Sequence, residues 1–348
     1  RVARDAVVTP ALCVRRAGPG MSVQDLGRPG YLDQGISVGG AADGLALAEG
    51  AALLGQPADC AAIEMAGAGG IFEAAGAPLR VALTGAPMQA TIEGEKAAWN
   101  ASHLLHRGQK ISIGAAKSGN YGYLNVGGGI ATPPVLGSRA VHLTAGLGAA
   151  LRDGDALPVG ADRGRTGTGM TLEVADRFRG GTVRIVPSVQ TGRFAEADLR
   201  RFEATEFTRD ARGNRMGVRM NFEGAPFAAA DQLSILSEII VPGDIQATGD
   251  GTPFVLLCEC QTTGGYPRVA TVVPCDLNIV AQARTGDRVR FEFVTRDAAL
   301  AAYRAADAHL AGLPKAIRPL VRDPHDIPDL LGYQLIDGMV AGDEEDER

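Results

Sequence analysis

The sequence predicts a mainly β protein made of two related β units with a few short helices. The chain has 348 residues, of which 47 are glycine, and its apolar stretches are short and separated by turn residues. Frequent glycine between short apolar stretches is typical of all-β folds with many turns. Two segments of the first half also recur in the second half: Gly85–Thr91 resembles Gly243–Thr248, and Gly108–Ile113 resembles Gly286–Phe291. These repeats favour two related units over one continuous sheet.

The two predicted units are joined by residues 162–169, a stretch of Gly, Arg and Thr without hydrophobic periodicity that is typical of a linker. We expect an N-terminal extension over residues 1–11 and a first β unit over residues 12–170. A second β unit should follow over residues 171–311, and an extended acidic tail over residues 312–348.

The first half contains seven apolar stretches of strand length. They are Leu12–Arg16, Ile63–Met65, Val81–Ala86, Met88–Ile92, Gly108–Ile113, Tyr121–Val126 and Gly154–Val159. One helix is also predicted in this half. Asp43 is suited to cap its first turn, apolar residues follow with helical spacing, and Gly55 ends it.

The second half contains five apolar stretches of strand length. They are Thr182–Pro187, Ile239–Val241, Pro253–Cys258, Val269–Val273 and Gly286–Phe291. Short helices are predicted over Asp198–Phe202 and Ala298–Leu310, and a third is predicted to begin with Asp276 as its cap and to reach Ala281. Cys258 and Cys260 are expected on one face of the same strand.

The loop Gln261–Pro267 joins two predicted strands and is longer than a tight hairpin requires. Gly264 and Gly265 allow positive φ, which would turn backbone N–H groups into an anion-binding nest. We interpret the loop as the binding site of a small polar ligand. The alternative is an ordinary loop whose threonine hydroxyls cap its own backbone. The side chains available for binding are Gln261, Thr262, Thr263 and Tyr266.

A second polar loop, Gln24–Arg28, lies between turns near the start of the first unit. Asp25 and Arg28 either pair with each other across the turn or face a ligand. Polar loops leave a β-barrel at its rim, because their donors need partners. We therefore predict that Asp25 and Arg28 line one cleft together with Gln261, Thr262, Thr263 and Tyr266.

Composition excludes several classes of function. The net charge is −6 and no basic stripe occurs, which argues against a nucleic-acid partner. No apolar run approaches the roughly 20 residues of a membrane span, and residues 1–10 lack the apolar core of a signal peptide. Five cysteines without framework spacing indicate reduced thiols and a cytoplasmic protein. The histidines are scattered, so no metal site is predicted.

The sequence contexts of the four lysines argue against an ATP-binding P-loop and against a biotin attachment site in this chain. None of them stands in a G-x-x-x-x-G-K-[ST] pattern, so the sequence has no phosphate-binding P-loop. None stands in the Met-Lys-Met setting of a biotin-carrying lysine. If ATP or biotin serves this protein, the motifs for it lie on another chain. We therefore predict an obligate hetero-oligomer.

Taken together, the motifs resemble one family, the biotin-dependent carboxyltransferase / allophanate hydrolase subunit 2 family. Its members include the C-type component of bacterial 5-oxoprolinase and the second half of the urea carboxylase carboxyltransferase region. The resemblance runs from about Leu12 to Val294 and implies cyclophilin-like β-barrels. The matching motifs are Val23–Tyr31, Val135–Arg139, Asn214–Gly217, Val241–Gln246 and Gln261–Pro267.

The sequence departs from the family pattern at four places near the expected site. Gly39–Asp43 stands where the family often has Ser-Gly-Ala-Leu-Asp, and Gly213–Gly217 where it often has Ser-Asp-Arg-Met-Gly. Glu259 replaces an aspartate before the Gln-Thr-Thr motif, and Cys260 replaces a basic residue. These departures bear on the identity of the substrate and leave the predicted fold unchanged.

The resemblance implies, first, the C-type subunit of an ATP-dependent 5-oxoprolinase that converts 5-oxo-L-proline to L-glutamate. Arg28, Arg215 and the Gly264–Gly265 backbone would stabilise the developing negative charge, and Asp25 or Glu238 would accept a proton. The remaining residues expected to bind substrate are Gln246, Gln261, Thr262, Thr263 and Tyr266. ATP would act through the complex. The partner would be of the allophanate hydrolase subunit 1 type (the B-type component of 5-oxoprolinase), with the A-type component of 5-oxoprolinase as a third member.

Two alternatives stay open. One is half of a biotin-dependent carboxyltransferase acting on urea or a related amide, with carboxybiotin on a separate carrier. The other is a non-catalytic regulator that binds its partner subunit. For Arg28 and Arg215, the alternative to a role in the site is ion pairing at the end of a barrel.

Overall fold

The computed structural model describes residues 9–229 and 236–321, and strands dominate it, so the predicted mainly β class is confirmed. Most of the predicted N-terminal extension and acidic tail lie outside the described residues. The first twelve strands are β1 Ala11–Arg16, β2 Ser22–Gln24, β3 Ala62–Ala66, β4 Ile71–Ala75, β5 Leu79–Gly85, β6 Met88–Ile92, β7 Glu95–Ala97, β8 Ala101–Leu105, β9 Lys110–Ala116, β10 Tyr121–Val126, β11 Ala156–Pro158 and β12 Met170–Thr171.

These strands form two sheets that enclose one apolar core. One sheet has the order β11-β1-β4-β9-β6-β7, and the other contains β2-β3-β10-β5-β8-β12. Alternate residues of each strand point inward because successive side chains lie on opposite faces of a strand. Leu12 and Phe72 from the first sheet pack in one cluster with Ile63, Leu83 and Leu124 from the second.

The described part of the chain contains ten further strands, which are β13 Gly180–Val186, β14 Phe207–Asn214, β15 Gly217–Asn221, β16 Glu238–Ile239, β17 Asp244–Ala247, β18 Pro253–Leu256, β19 Thr263–Gly264, β20 Arg268–Val272, β21 Arg288–Phe293 and β22 Arg318–Pro319. Seven of them form a closed barrel in the order β13-β20-β17-β18-β15-β14-β21. Parallel pairing of β13 with β21 closes it.

Within residues 9–229 and 236–321, four α-helices accompany the strands: α1 Gly44–Leu54, α2 Glu196–Ala204, α3 Leu277–Gln282 and α4 Arg296–Ala316. The predicted cap of α1 is confirmed, because the Asp43 carboxylate accepts the Ala46 N–H at 3.2 Å. The predicted cap of α3 is wrong. Asp276 does not cap its helix, since its carboxylate binds the Arg184 backbone and guanidinium from β13.

Helix α2 packs against the barrel through Phe202, whose ring stacks on Phe291 with centroids 5.3 Å apart and lies 4.9 Å from that of Phe207. The same aromatic cluster includes Phe227. Such contacts add to the burial of large apolar surfaces. They make the interior of this barrel a packed core, so a ligand site must lie at its rim or outside it.

The two halves are joined by a buried ionic cluster around Arg177. Its guanidinium donates to Asp43 at 2.8 Å and to both oxygens of Glu49 at 2.9 Å. Gln282 of α3 donates to the same Asp43 carboxylate at 2.8 Å. Strand β22 also returns to the first half and pairs with β12. The position of the boundary near residue 170 stays a prediction, because the two halves share these elements.

No helix within residues 9–229 and 236–321 is long and apolar enough to cross a membrane.

Candidate functional site

The loop Gln261–Pro267 leaves the barrel earlier than predicted. Strand β18 ends at Leu256, and the chain then turns, with the Cys260 N–H donating to the Leu257 carbonyl. The predicted placement of Cys258 and Cys260 on one strand is therefore wrong. The turn is held from the side by Arg215, whose carbonyl accepts the Glu259 N–H at 2.8 Å.

The predicted anion nest is also wrong. Neither Gly264 nor Gly265 has a positive φ, and Thr263–Gly264 forms strand β19, paired antiparallel with β16. A nest needs N–H groups that converge, whereas a strand directs them to alternate sides. Gly264 serves a close approach instead: a Cβ there would lie 2.7 Å from Gln246 Nε2.

Two concavities lie on either side of this loop, and Cys260 and Gln261 line both. The first, of about 370 Å³, lies between the two halves of the chain. It is lined by Gly35, Ser37, His142, Thr144, Ala145, Cys260, Gln261, Thr262 and Thr263. The second, of about 270 Å³, lies on the barrel. It is lined by Asn214, Met216, Ile240, Gln246, Thr248, Phe254, Leu256, Cys260, Gln261 and Tyr266.

The structure divides the predicted cleft residues between these surfaces. Thr262 and Thr263 line the first concavity, Tyr266 lines the second, and Gln261 lines both. Arg28 reaches neither surface, because only 1% of it is exposed. It packs behind the first concavity, where a Cβ on Gly39 would lie 3.3 Å from Arg28 Nη1 and 3.0 Å from His142 Cδ2.

Asp25 and Arg28 each find partners among residues 135–140 rather than in each other. The Asp25 carboxylate accepts the Ser138 hydroxyl at 2.6 Å and the Arg139 N–H at 2.7 Å. The Arg28 guanidinium donates to the Val135 and Ala140 carbonyls, while Nη1 has no partner among the described residues. Burial lowers the pKa of this guanidinium. Both side chains therefore hold loops together beneath the site.

Arg215 lies at the centre of a buried ionic network that joins the two halves. It donates to Glu259 Oε1 at 2.6 Å, to Glu64 and to the Gly40 carbonyl. Glu64 also accepts the Tyr123 hydroxyl at 2.7 Å. Burial opposes the charge of Arg215, yet the two carboxylates hold its pKa above the ordinary value. All three of its guanidinium nitrogens are engaged, so it positions Glu259 rather than presenting a free charge.

The other two predicted site residues lie on the barrel side of the loop. Glu238 is paired with Arg268 and accepts Gln190 Nε2 at 2.8 Å. Gln246 is buried in the second concavity, and its Nε2 has no hydrogen-bond partner within the described part of the chain. An unpartnered buried amide is costly unless a ligand or water completes it.

Sequence reasoning missed Ser37, His142 and Thr144. The Ser37 hydroxyl lies 2.9 Å from His142 Nε2, and His142 Nδ1 lies 3.7 Å from Glu259. Thr144 donates its N–H and its hydroxyl to the same Glu259 carboxylate. A single histidine and a single serine give no spacing signal. Only Glu259, which precedes the polar loop, could have been singled out in advance.

Across residues 9–229 and 236–321, no group of three or more His, Cys, Asp or Glu side chains is arranged to hold a metal ion. Burial raises the pKa of the Cys258 and Cys260 thiols to about 12. Both thiols are therefore neutral at physiological pH and poor nucleophiles. The chemistry available in the concavities is hydrogen bonding by amides, hydroxyls and an imidazole.

A family model described as "Carboxyltransferase domain, subdomain A and B" matches residues 34–293. The chain belongs to the carboxyltransferase domain family. An Escherichia coli protein, named as the C-type subunit of 5-oxoprolinase, is 33% identical over 84% of this chain and 94% of its own length. A protein of the same name from Haemophilus influenzae is 32% identical over 83% of this chain and 93% of its own length. These matches confirm the predicted resemblance.

Solved structures show the same architecture. The crystal structure of TTHA0988 is similar with a TM-score of 0.75 and 30% identity, over 83% of this chain and 56% of that chain. Our chain therefore covers little more than half the length of TTHA0988. The Kluyveromyces lactis urea amidolyase has a TM-score of 0.79 at 22% identity, over 91% of this chain and 21% of that chain. At that identity the likeness shows the fold alone.

Proposed function

We propose that this chain is the C-type subunit of an ATP-dependent 5-oxoprolinase complex that opens 5-oxo-L-proline to L-glutamate. One observation carries the proposal. The two relatives named as C-type subunits of 5-oxoprolinase match over more than nine-tenths of their own length, whereas the Saccharomyces cerevisiae protein named "Urea amidolyase" matches over 16% of its length. The chain therefore corresponds to a whole subunit of the first kind and to one segment of the second.

The chemistry of the first concavity suits a small lactam. Its volume of about 370 Å³ is at the lower end of the range of small-molecule sites. Gln261, Thr262 and Thr263 face it from the second half of the chain, and these groups can both donate and accept hydrogen bonds. An amide presents one donor and one acceptor, so it is complementary to a surface of this kind.

An amide is a poor electrophile, and phosphorylation of its oxygen by ATP makes ring opening feasible. We assign the ATP site to a partner of the allophanate hydrolase subunit 1 type or to a third subunit, because this sequence has no P-loop. The carboxylates of Asp25 and Glu238 accept hydrogen bonds from other groups of the protein. We therefore assign them to holding the loops, and not to proton transfer.

A biotin-dependent carboxyltransferase is the second candidate, and the second concavity favours it. Apolar side chains of Met216, Phe254 and Leu256 line that surface beside the unpartnered Nε2 of Gln246. An apolar wall with one free amide donor would suit the carbonyl of a ureido ring carried on a separate protein.

Reconstitution tests the proposal. The chain should be co-expressed with candidate partner subunits, and the purified complex assayed for ATP hydrolysis dependent on 5-oxo-L-proline and for release of glutamate. The control is the same preparation without this chain. We expect activity only in the full complex. Activity that requires biotin carboxylase, a biotin carrier and urea would support the second candidate, and full activity without this chain would make it a regulator.

A further inference from the structure

Ser37 and His142, which line the first concavity, and the adjoining Glu259 have no role in the function proposed above. Ser37, His142 and Glu259 are each at least 97% buried, and they come from three distant parts of the sequence. Ser37 Oγ lies 2.9 Å from His142 Nε2, and His142 Nδ1 lies 3.7 Å from Glu259 Oε2. Serine, imidazole and carboxylate in this order are the arrangement of a hydrolytic triad, which would make Ser37 a nucleophile.

The hydrogen bonds at Nδ1 argue against a triad. In a triad the carboxylate accepts the Nδ1 proton, which leaves Nε2 free to act as a base. Here Nδ1 accepts the Ala145 N–H at 3.1 Å, and its distance of 3.7 Å from Glu259 is too long for a hydrogen bond. An imidazole nitrogen that accepts an N–H carries no proton. The proton of a neutral His142 is therefore on Nε2, and it is donated to Ser37 Oγ.

Glu259 is also fully engaged elsewhere. Oε1 accepts the Arg215 Nε–H, and Oε2 accepts the backbone N–H and the hydroxyl of Thr144. Burial is the largest influence on the pKa of His142 and lowers it. The Glu259 carboxylate is the next largest and opposes burial, whereas the charges of Arg28 and Arg215 act in the same direction as burial. The pKa therefore lies below its ordinary value, and the imidazole stays neutral.

The hydroxyl proton of Ser37 is left free by this arrangement. Its oxygen accepts the His142 N–H, and no other hydrogen-bond partner of that hydroxyl occurs in the described part of the chain. A hydroxyl has one proton to donate in addition to the bonds it accepts. Ser37 lines the concavity together with Gln261 and Thr262, so this proton is available to a ligand there.

We propose that Ser37 is a specificity-determining hydrogen-bond donor to the carbonyl oxygen of a small amide in this concavity, with His142 as its positioning residue. The identity of the amide as 5-oxo-L-proline rests on the function proposed above, whereas the donor role does not. A donated bond strengthens when the oxygen gains negative charge, so Ser37 contributes most as the carbonyl carbon of the amide is attacked.

Three variants in the complete complex separate this role from that of a nucleophile. Ser37→Ala should lower kcat/KM about 10²- to 10³-fold, as removal of one donor to a developing oxyanion does. His142→Gln keeps an N–H donor at similar reach and should stay within about 10-fold of wild type, whereas His142→Phe should behave like Ser37→Ala. A triad would instead lose about 10⁶-fold in both Ser37→Ala and His142→Gln, because glutamine cannot act as a base.

The tautomer can be measured on the full chain without any assay. ¹⁵N-histidine NMR, with His142 assigned from the spectrum of His142→Gln, should show a neutral imidazole protonated at Nε2 at pH 7. Titration with 5-oxo-L-proline and with 2-pyrrolidinone, on the chain and on its complex, should shift that Nε2 signal in wild type and not in Ser37→Ala. A proton on Nδ1, a charged ring, or signals that neither amide shifts would overturn the proposal.

The two measurements also separate this inference from the proposed function. An Nε2–H tautomer that responds to 2-pyrrolidinone in a protein without 5-oxoprolinase activity would keep the donor role and reject the substrate. A complex with full 5-oxoprolinase activity in Ser37→Ala would reject the donor role and keep the substrate.

Discussion

Replacing Arg215 with Met should destabilise the protein severely, although the residue lies in a loop. Its side chain is 9% exposed and is the cation that faces both Glu64 and Glu259, which are themselves almost completely buried. Removing one partner of a buried ion pair leaves an uncompensated charge and costs about 3–5 kcal/mol. Methionine has a similar length and is apolar, so the loss comes from charge rather than from a large cavity.

The expected loss stays within this range because both carboxylates keep other donors. Glu64 still accepts the Tyr123 hydroxyl and the Ala42 N–H, and Glu259 still accepts two donors from Thr144. We therefore expect the free energy of unfolding to fall by about 3–5 kcal/mol at pH 7. Part of the loss should be recovered at pH 5, because without Arg215 the burial of Glu259 raises the pKa of its carboxyl and favours its protonation.

The matched control is Arg212→Met, three residues earlier in strand β14. The Arg212 side chain is 73% exposed and pairs with Asp210, so its loss should cost less than about 1 kcal/mol. Chemical denaturation of the three proteins, followed by circular dichroism at both pH values, measures the difference. A loss below about 1 kcal/mol for Arg215→Met, or equal losses for the two variants, would refute the role given to the buried network.

Three further predictions concern single residues. Cys260, which is buried and has a thiol pKa raised to about 12, should resist iodoacetamide at pH 8 in the folded protein while the partly exposed Cys13 reacts, as mass spectrometry would show. Gly39→Ala should lower the melting temperature, because φ is 65° and the added Cβ would lie 3.0 Å from a neighbouring ring; this costs about 1–2 kcal/mol, and an unchanged melting temperature would contradict it. Burial raises the pKa of Glu49 to about 7, so the contribution of this carboxyl to stability is complete below its unfolded pKa of 4.5 and is lost as the pH rises through 7. The difference in free energy of unfolding between wild type and Glu49→Gln should therefore shrink from pH 5 to pH 8. A constant difference would refute this.

Local signals predicted the elements well. Asp43 caps α1 as expected, because capping depends on the first turn alone. The helix predicted over Ala298–Leu310 is present, as its Ala-rich sequence favours, and it extends to Arg296–Ala316 although it contains Gly312 and Pro314. The mainly β class could be predicted because short apolar stretches and abundant glycine are local signals, each of which involves only a few neighbouring residues.

Partners that are distant in the sequence were not predictable in the same way. Asp276 has the sequence position of a cap, yet it binds Arg184, 92 residues away. Asp25 and Arg28 are three residues apart and suggested a local pair, but residues 135–140 supply their partners. Local patterns in a single sequence do not show which distant segments pair with each other in the fold. The residues of the candidate site can therefore be predicted only in part from the sequence.

Ser37 and His142 illustrate the same limit within the site. Their side chains meet across 105 residues, and neither belongs to a spaced motif. The polar loop Gln261–Pro267 was visible because several unusual residues are adjacent in it. The other wall of the first concavity comes from the first half of the chain, so its chemistry depends on how the two halves pack.

The most direct test of the account is ATP turnover dependent on 5-oxo-L-proline in a complex that carries Thr262→Val. Valine keeps the shape of threonine and removes the hydroxyl in the wall of the first concavity. Thr182→Val, at an exposed position of strand β13, is the control. We expect an intact complex whose turnover falls at least ~10-fold, equivalent to about 1.4 kcal/mol of transition-state stabilisation, in Thr262→Val alone. Unchanged turnover in Thr262→Val would contradict it and place the working site on another subunit.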